Sequence, residues 1–189
     1  RLGLVHRIDK DTSGLLVVAK RPEAKSNLSP QFFNKTTKRK YRALVWGIVQ
    51  EDEGRIEGNI GRDPRDRMQM TVFPEGDQGK TAVTHYTVLE RLGYVSLVEC
   101  RLETGRTHQI RVHMSALGYP LAGDQLYYPA FSDTKIKRQA LHSHRLSFSH
   151  PVTGEMLTFT SPLPCDMAAL IDPEPSAHRG SSLPAVLRG

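Results

Sequence analysis

Short runs of alternating apolar and polar residues, separated by glycine- and proline-containing turns, recur along this 189-residue chain. A period of two is typical of strands with one buried face. It predicts strands over residues 40–49, 55–60, 68–73, 81–89, 94–102, 141–148 and 156–160. Residues 15–19, Leu-Leu-Val-Val-Ala, are apolar throughout, which predicts a buried strand.

Helical spacing is found in fewer places. A helix is predicted over residues 22–34, because a first helical turn tolerates Pro22. Pro30 lies inside this helix and predicts that it breaks or restarts there. Apolar residues at helical spacing predict a helix over 107–117 with Gly118 as its C-cap. Residues 167–171 predict a last helical turn. The chain is therefore predicted to be one strand-rich α+β domain over residues 1–171, and 172–189 a disordered tail.

The charge balance is basic, with 26 Lys and Arg against 20 Asp and Glu, a net charge of +6 and a pI near 9.5. This excess suits a polyanionic partner, although many soluble proteins are mildly basic. The cations are clustered along the chain at Lys35, Lys38, Arg39, Lys40 and Arg42, and again at Arg62, Arg65 and Arg67. Such local clusters point to a polyanionic partner more strongly than the total charge does.

The two cysteines, Cys100 and Cys165, are far apart and lack metal-ligand spacing. They are expected to be thiols in a reducing compartment. Because no apolar run reaches 18 residues, a membrane-spanning helix is excluded, and residues 1–6 do not resemble a signal peptide. The protein is expected in the cytoplasm.

The candidate chemistry starts in residues 6–14, His-Arg-Ile-Asp-Lys-Asp-Thr-Ser-Gly, where Asp9 lies between cations and a turn. A carboxylate on a tight loop between apolar segments is well placed for chemistry. Four later segments stand out in order: residues 38–43 (K-R-K-Y-R-A), 102–113 (L-E-T-G-R-T-H-Q-I-R-V-H), 118–124 (G-Y-P-L-A-G-D) and 139–143 (Q-A-L-H-S).

Residues 6–14 resemble the H-R-L-D-x-x-T-S-G signature of the RluA-type RNA pseudouridine synthases, with Ile8 in place of the usual Leu. The later segments resemble that family's K-x-Y-x-A, L-x-T-G-R-T-H-Q-I-R-x-H, G-x-P-[IL]-x-G-D and Q-A-L-H-A segments. The resemblance covers residues 1–171. It implies an α+β catalytic domain with a mixed, mainly antiparallel central sheet and flanking helices and loops.

The resemblance implies a cofactor-free isomerisation of uridine to pseudouridine in RNA, with Asp9 as the nucleophile. Asp11 is its neighbour but falls on a variable position. The sequence leaves open whether Asp9 attacks the sugar, attacks the base or assists elimination at the sugar. A partly desolvated carboxylate needs a cation, and the matching arginine is Arg111, with Arg106 as the alternative.

Tyr41 is implied to stack on the uracil and to be a candidate base for the C5 proton, and Ile110 to close the other face. The implied substrate or RNA contacts are Arg7, Lys10, Lys38, Lys40, Arg106, His108, Gln109 and Ile110. His6, His108 and His113 suggest a metal site, but His108 and His113 are five residues apart, so no metal is expected.

Relatives in this family usually carry a further segment before the Asp motif, and many carry an N-terminal S4-type domain. The chain is therefore expected to be a fragment of a longer protein. The expected partner is RNA, with large-subunit ribosomal RNA ahead of transfer RNA, and the expected state is a monomer.

Two other functions were weighed against this one. A non-catalytic RNA-binding or ribosome-assembly module on the same fold would not need the set Asp9, Tyr41 and Arg111. A glycoside hydrolase would need a second placed carboxylate beside Asp9, and the sequence offers none.

Overall fold

The structure, a computed structural model, describes residues 3–73, 76, 78–131 and 135–172. The predicted tail, residues 172–189, lies outside the described residues beyond its first position. The strands within the described part are β1 (Ser13–Gly14), β2 (Lys38–Trp46), β3 (Glu53–Arg62), β4 (Met70–Phe73), β5 (Lys80–Arg91), β6 (Val95–Leu102), β7 (Leu141–Ser149) and β8 (Met156–Thr160). The α-helices are α1 (Pro22–Phe33), α2 (Gln109–Ala116) and α3 (Cys165–Ile171).

All eight strands form one sheet in the order β1-β7-β2-β6-β5-β3-β4, with β8 also paired to β7. The pairings are antiparallel except for β1 with β7, which is parallel. The predicted α+β class with a mixed, mainly antiparallel sheet is therefore confirmed. The predicted strands and helices other than 15–19 lie within a few residues of the observed ones.

The two faces of the sheet bury different clusters of side chains because side chains alternate along each strand. On β2, Tyr41, Ala43 and Val45 pack with Met114 of α2 in one buried cluster. Leu44, between them, belongs to a second cluster that contains Met167 of α3 and Leu97 of β6. Helices α2 and α3 thus cover opposite faces, and the residues that matter for chemistry lie on the α2 side.

The predicted buried strand over residues 15–19 is wrong. Leu16 and Val18 are 42% and 51% exposed, and Val18 makes only an isolated bridge to Leu4. Pairing with β7 ends where Leu15 N–H donates to the Ser143 carbonyl. From Arg145 onward, the same edge of β7 is paired with β8, so the chain must leave it.

The predicted break at Pro30 is also wrong, because α1 continues through it. Proline removes one helical hydrogen bond, which leaves the Ser26 carbonyl without its intrahelical donor. Both Ser26 and Pro30 are exposed, so water can replace the lost donor. The helix predicted over 107–117 is shorter than expected: it begins at Gln109, so Thr107 and His108 belong to the turn before it. Gly118 follows α2 with a φ of +91°, as a C-cap glycine should.

The shortest strand, β1, sets the position of the Asp9 loop, and it depends on Gly14. Gly14 has a φ of +103°, and a Cβ there would lie 2.7 Å from the Ser143 nitrogen and closer still to its carbonyl oxygen. A side chain at this position would therefore have to push β7 away from β1.

We expect Gly14→Ala to lower the free energy of unfolding by roughly 3 kcal/mol, through a strained backbone and a steric clash together. Gly93→Ala is the matched control, since Gly93 has a φ of +84° but open space around it. The control should cost only about 1 kcal/mol. Urea denaturation of both variants measures this, and equal losses would contradict the role assigned to the β1–β7 contact.

Candidate active site

Asp9 lies in a tight loop just before β1. Its carbonyl accepts a hydrogen bond from Thr12 N–H at 3.1 Å, and Asp11 has a φ of +67°. The left-handed region is one that aspartate tolerates better than most residues. The Asp9 side chain keeps 16% of its surface exposed, so the loop presents a largely buried carboxylate.

The loop is fixed from behind by the residues that lead into β7. Gln139 Nε2 donates to the Lys10 carbonyl at 2.6 Å, and Arg138 Nη1 donates to the Asp11 carbonyl at 3.2 Å. Arg138 is itself held by two hydrogen bonds to the Asp166 carboxylate of α3, at 2.8 and 2.9 Å. The Asp9 loop is therefore tied to α3.

Arg111 is the cation nearest to the Asp9 carboxylate, with its Nη1 3.9 Å from Asp9 Oδ2. Its tighter partner is Asp124, to which Nε and Nη2 donate at 2.7 and 2.9 Å. Arg111 is 6% exposed and Asp124 is 1% exposed. Burial alone would lower the pKa of Arg111, but Asp124 and Asp9 outweigh it and raise the pKa, so the guanidinium stays charged.

The alternative partner, Arg106, is directed elsewhere. Its Nε donates to the Thr81 carbonyl at 2.9 Å, and no ion pair joins it to Asp9 among the described residues. Of the two arginines left open by the sequence, the geometry favours Arg111.

Tyr41 lies on β2 where β7 carries an extra residue, since Lys40 pairs with Arg145 and Tyr41 pairs with Ser143. Such bulges are common beside active sites because they redirect side chains. The ring is 6% exposed. Burial raises the pKa of the Tyr41 phenol, as does Asp9, whereas Arg39 and a hydrogen bond with Ser143 lower it.

A narrow pocket joins these elements. Of the predicted site residues it is lined by Arg7, Asp9, Tyr41, Arg106, Gln109 and Ile110. Lys10, Lys38, Lys40, His108 and Arg111 do not line it. The pocket therefore combines a carboxylate, an aromatic ring and an aliphatic side chain, which suits a flat heterocycle attached to a sugar.

Lys38 and Lys40 are directed away from the pocket. They alternate with Arg39 and Tyr41 along β2 and so lie on the opposite face of the sheet, where Lys40 Nζ contacts Glu99 Oε1 at 2.6 Å. RNA contact by these two lysines stays a prediction, but it concerns a different surface from the pocket.

Gln109 is buried, and its amide is fully used within the protein. Its Oε1 accepts from Thr104 Oγ1 and the Arg106 N–H, and its Nε2 donates to the Val83 carbonyl and Thr84 Oγ1, all within 3.0 Å. These bonds fix the turn before α2 against β5. The predicted RNA contact by Gln109 therefore has no free amide atom to use.

The histidines have structural partners. His108 Nδ1 contacts the Tyr127 hydroxyl at 2.8 Å, and burial lowers its pKa. The Tyr127 ring also lies 5.0 Å from the Arg111 guanidinium carbon, a cation–π contact. His113 is fully buried and contacts Thr84 Oγ1 at 2.9 Å.

The described ranges of the chain hold no group of three or more His, Cys, Asp and Glu residues that could bind a metal ion. None of their helices is long and apolar enough to cross a bilayer.

Three residues near the site were missed from the sequence: Asp124, Tyr127 and Arg138. Arg39 was expected only as one of the clustered cations, although it is two residues before Tyr41 on a strand and must share its face. Asp124 ends a matched segment to which no role was given. Arg138 and Tyr127 had no local signal, since their partners are remote in sequence.

A family model for RNA pseudouridylate synthase matches residues 1–116. The chain belongs to this family. It is 56% identical over 172 residues to an uncharacterised RNA pseudouridine synthase, YlyB, of Bacillus subtilis, covering 91% of this chain and 55% of that protein. It is 51% identical over 181 residues to ribosomal large subunit pseudouridine synthase D of Neisseria meningitidis, covering 90% and 48%.

The fold has solved counterparts as well. Human RNA pseudouridylate synthase domain containing 1 matches with a TM-score of 0.74 and 34% identity over 86% of this chain and 69% of that one. The RluA-type resemblance is thus confirmed. The chain spans about half the length of the curated relatives, at 55% and 48%.

Asp124 should be essential for stability because it neutralises a buried arginine. We expect Asp124→Ala to lower the free energy of unfolding by roughly 3–5 kcal/mol, since it leaves Arg111 buried with only a distant carboxylate. The double change Arg111→Met with Asp124→Leu should cost less than the single one. Denaturant unfolding measures both, and a double variant that is less stable than Asp124→Ala would contradict this account.

His6 should make stability depend on pH. Its Nε2 accepts the Val17 N–H at 3.0 Å and its ring stacks on Phe32, so the structure needs it neutral. Burial, helped by Arg39, lowers the pKa of His6 from 6.5 to about 4. The unfolded state thus binds more protons between these values, and stability is full above pH 6.5 and falls toward pH 4. The melting temperature should fall less between pH 6.5 and pH 4 for His6→Gln than for the unaltered chain. The same pH dependence in both proteins would contradict this role of His6.

Proposed function

We propose that this chain isomerises uridine to pseudouridine in large-subunit ribosomal RNA, with Asp9 as the nucleophile. The substrate is suggested by the relatives named ribosomal large subunit pseudouridine synthase D, at 51% and 49% identity. The observation that carries the proposal is the pocket in which Asp9 and Tyr41 meet, with the Arg111 guanidinium 3.9 Å from the Asp9 carboxylate.

The reaction is an exchange of bonds within one nucleotide. The bond from ribose C1′ to uracil N1 breaks, and a bond from C1′ to C5 forms. N1 gains a proton and C5 loses one, so the atoms balance without any oxidant or reductant. The chemistry thus needs an anion beside the reacting ring or sugar, a grip on the freed uracil and a proton acceptor.

Asp9 supplies the anion. Attack on the sugar, attack on the base and assisted elimination all use an anionic carboxylate, and the Arg111 guanidinium lies 3.9 Å from it. Because Asp124 fixes Arg111 through two hydrogen bonds, the cation is held in place before substrate binds. Such preorganised charge lowers a barrier more than a mobile one does.

Tyr41 supplies the grip and a proton acceptor for C5. Its ring and the Ile110 side chain both line the pocket, so a uracil can be held between an aromatic and an aliphatic surface. Burial raises the pKa of Tyr41, which opposes its action as a base, whereas Arg39 and Ser143 act in the other direction. The ability of the Tyr41 phenol to accept a proton from C5 therefore depends on Arg39 and Ser143, which lower its pKa.

RNA is recruited by the cations around the pocket, Arg7, Lys10 and Arg106, with His108 at its border. Contacts of this type supply affinity and register, while the choice of uridine depends on RNA shape. The proposal includes a monomer in the cytoplasm, a compartment that suits the free thiols Cys100 and Cys165.

Release of tritium from ribosomal RNA labelled at uracil C5 tests the reaction directly. Asp9→Asn should bind the RNA but lose activity by roughly 10⁴-fold or more, as expected when a nucleophile is removed. Asp11→Asn is the matched control, because Asp11 is exposed and asparagine tolerates its positive φ. It should keep its activity.

The remaining outcomes separate the rival functions. Binding without release by the unaltered chain would indicate a non-catalytic RNA-binding module. Release from labelled transfer RNA alone would overturn the ribosomal substrate. Residual turnover by Asp9→Asn would overturn the nucleophile.

A further inference from the structure

Arg39 is a pocket residue that the reaction as described so far does not use. It lies on β2 two residues before Tyr41, and strand alternation places both on the face that α2 covers. It lines the same pocket as Asp9 and Tyr41. Its neighbours in the basic cluster, Lys38 and Lys40, lie on the other face.

Three other arginines near the site have partners in the protein, whereas Arg7, which also lines the pocket, is exposed to solvent. Arg111 is paired with Asp124, Arg138 with Asp166, and Arg106 with the Thr81 carbonyl. Arg39 forms no ion pair within the described part of the chain, and its Nε is buried without a hydrogen-bond partner there. Arg39 as a whole is only half-buried, but a buried N–H without an acceptor is unfavourable, and an anion that reached it would relieve that cost.

Gly105 shapes the space around the Arg39 guanidinium. A Cβ at position 105 would lie 3.1 Å from Arg39 Nη1 and 3.3 Å from Nη2. The glycine thus lets the planar group lie against the turn before α2 while still lining the pocket. The edge formed by Nη1 and Nη2 faces this glycine, so an anion in the pocket would be bound by single N–H groups of the guanidinium.

The anion is not Asp9. The Asp9 carboxylate has its ion pair with Arg111, and none with Arg39 occurs among the described residues. A uridine in the pocket carries a phosphate on each side of its ribose, and these are the anions that RNA brings to this site. Phosphodiester oxygens accept the N–H groups of an arginine well.

We propose that Arg39 binds a backbone phosphate flanking the uridine that enters the pocket, an assignment that rests on the proposed function. The phosphate anchors the nucleotide on the side of the Gly105 turn, while Tyr41 and Ile110 hold the base. Arg39 is then a substrate-binding residue, and the cation paired with the Asp9 carboxylate is a different one, Arg111.

The test compares Arg39→Gln, Arg39→Lys and the control Lys20→Gln, which removes the same charge from an exposed residue outside the pocket. Tritium release from C5-labelled ribosomal RNA gives kcat/KM between about 50 and about 200 mM salt. For Arg39→Gln we expect kcat/KM to fall roughly 10- to 100-fold at the lower salt. The slope of log kcat/KM against log salt should become shallower by about 0.7, the loss of one phosphate contact.

Arg39→Lys should recover the slope because it keeps a charge for the phosphate. Lys20→Gln should match the unaltered chain. Arg39→Met serves in place of Arg39→Gln if the latter does not fold. Filter retention measures how the affinity for the same RNA depends on salt in two variants, Asp9→Asn alone and Asp9→Asn combined with Arg39→Gln. The slope should differ between these two variants by the same amount.

An unchanged salt slope in Arg39→Gln, whatever its activity, would overturn the assignment. If that unchanged slope came with a lowered kcat/KM and a shifted pH profile, Arg39 would act on the Tyr41 phenol instead. If the unaltered chain releases no tritium, the proposed function itself fails, while the binding comparison still tests Arg39.

Discussion

The site depends on one buried arrangement of charges, in which Arg111 lies between two carboxylates. Asp124 makes the short contacts at 2.7 and 2.9 Å, and Asp9 lies farther away at 3.9 Å. A buried arginine is stable only with a hydrogen-bonded partner, and Asp124 supplies it. Because Asp124 holds Arg111, the Asp9 carboxylate makes only the longer contact with the guanidinium, and no shorter ion pair occupies it among the described residues.

This arrangement requires segments that are far apart in the chain to meet with little freedom. Helix α2 carries Arg111, the segment after it carries Asp124, and the loop before β1 carries Asp9. The loop is fixed by β1 pairing with β7 and by Arg138 and Gln139, which hydrogen-bond to its backbone. Backbone contacts of this kind set the position of Asp9 without occupying its side chain. Asp166 extends the same support to α3.

Much of the fold could be predicted from the sequence, because alternation identifies half-buried strands directly. The predictions that failed depend on neighbouring strands, which the pattern along a single strand does not show. Residues 15–19 are apolar, yet the edge of β7 they would need is shared between β1 and β8. The direction of Lys38 and Lys40 was predictable from the position of Tyr41 on the same strand. The partnership of Arg138 with Asp166 was not, since it arises only when α3 packs near the start of β7.

The cations of this chain also show why net charge alone is weak support for a function. A charge of +6 suggests a polyanionic partner, yet several basic side chains are already engaged inside the protein. Lys40 contacts Glu99, Arg91 contacts Asp52, and Arg138 contacts Asp166. A cation satisfied by its own fold gives up those contacts if it is to bind RNA, which reduces the gain from binding. The informative cations are those that the fold brings to the pocket and leaves without a partner, and they are identified by geometry instead of by composition.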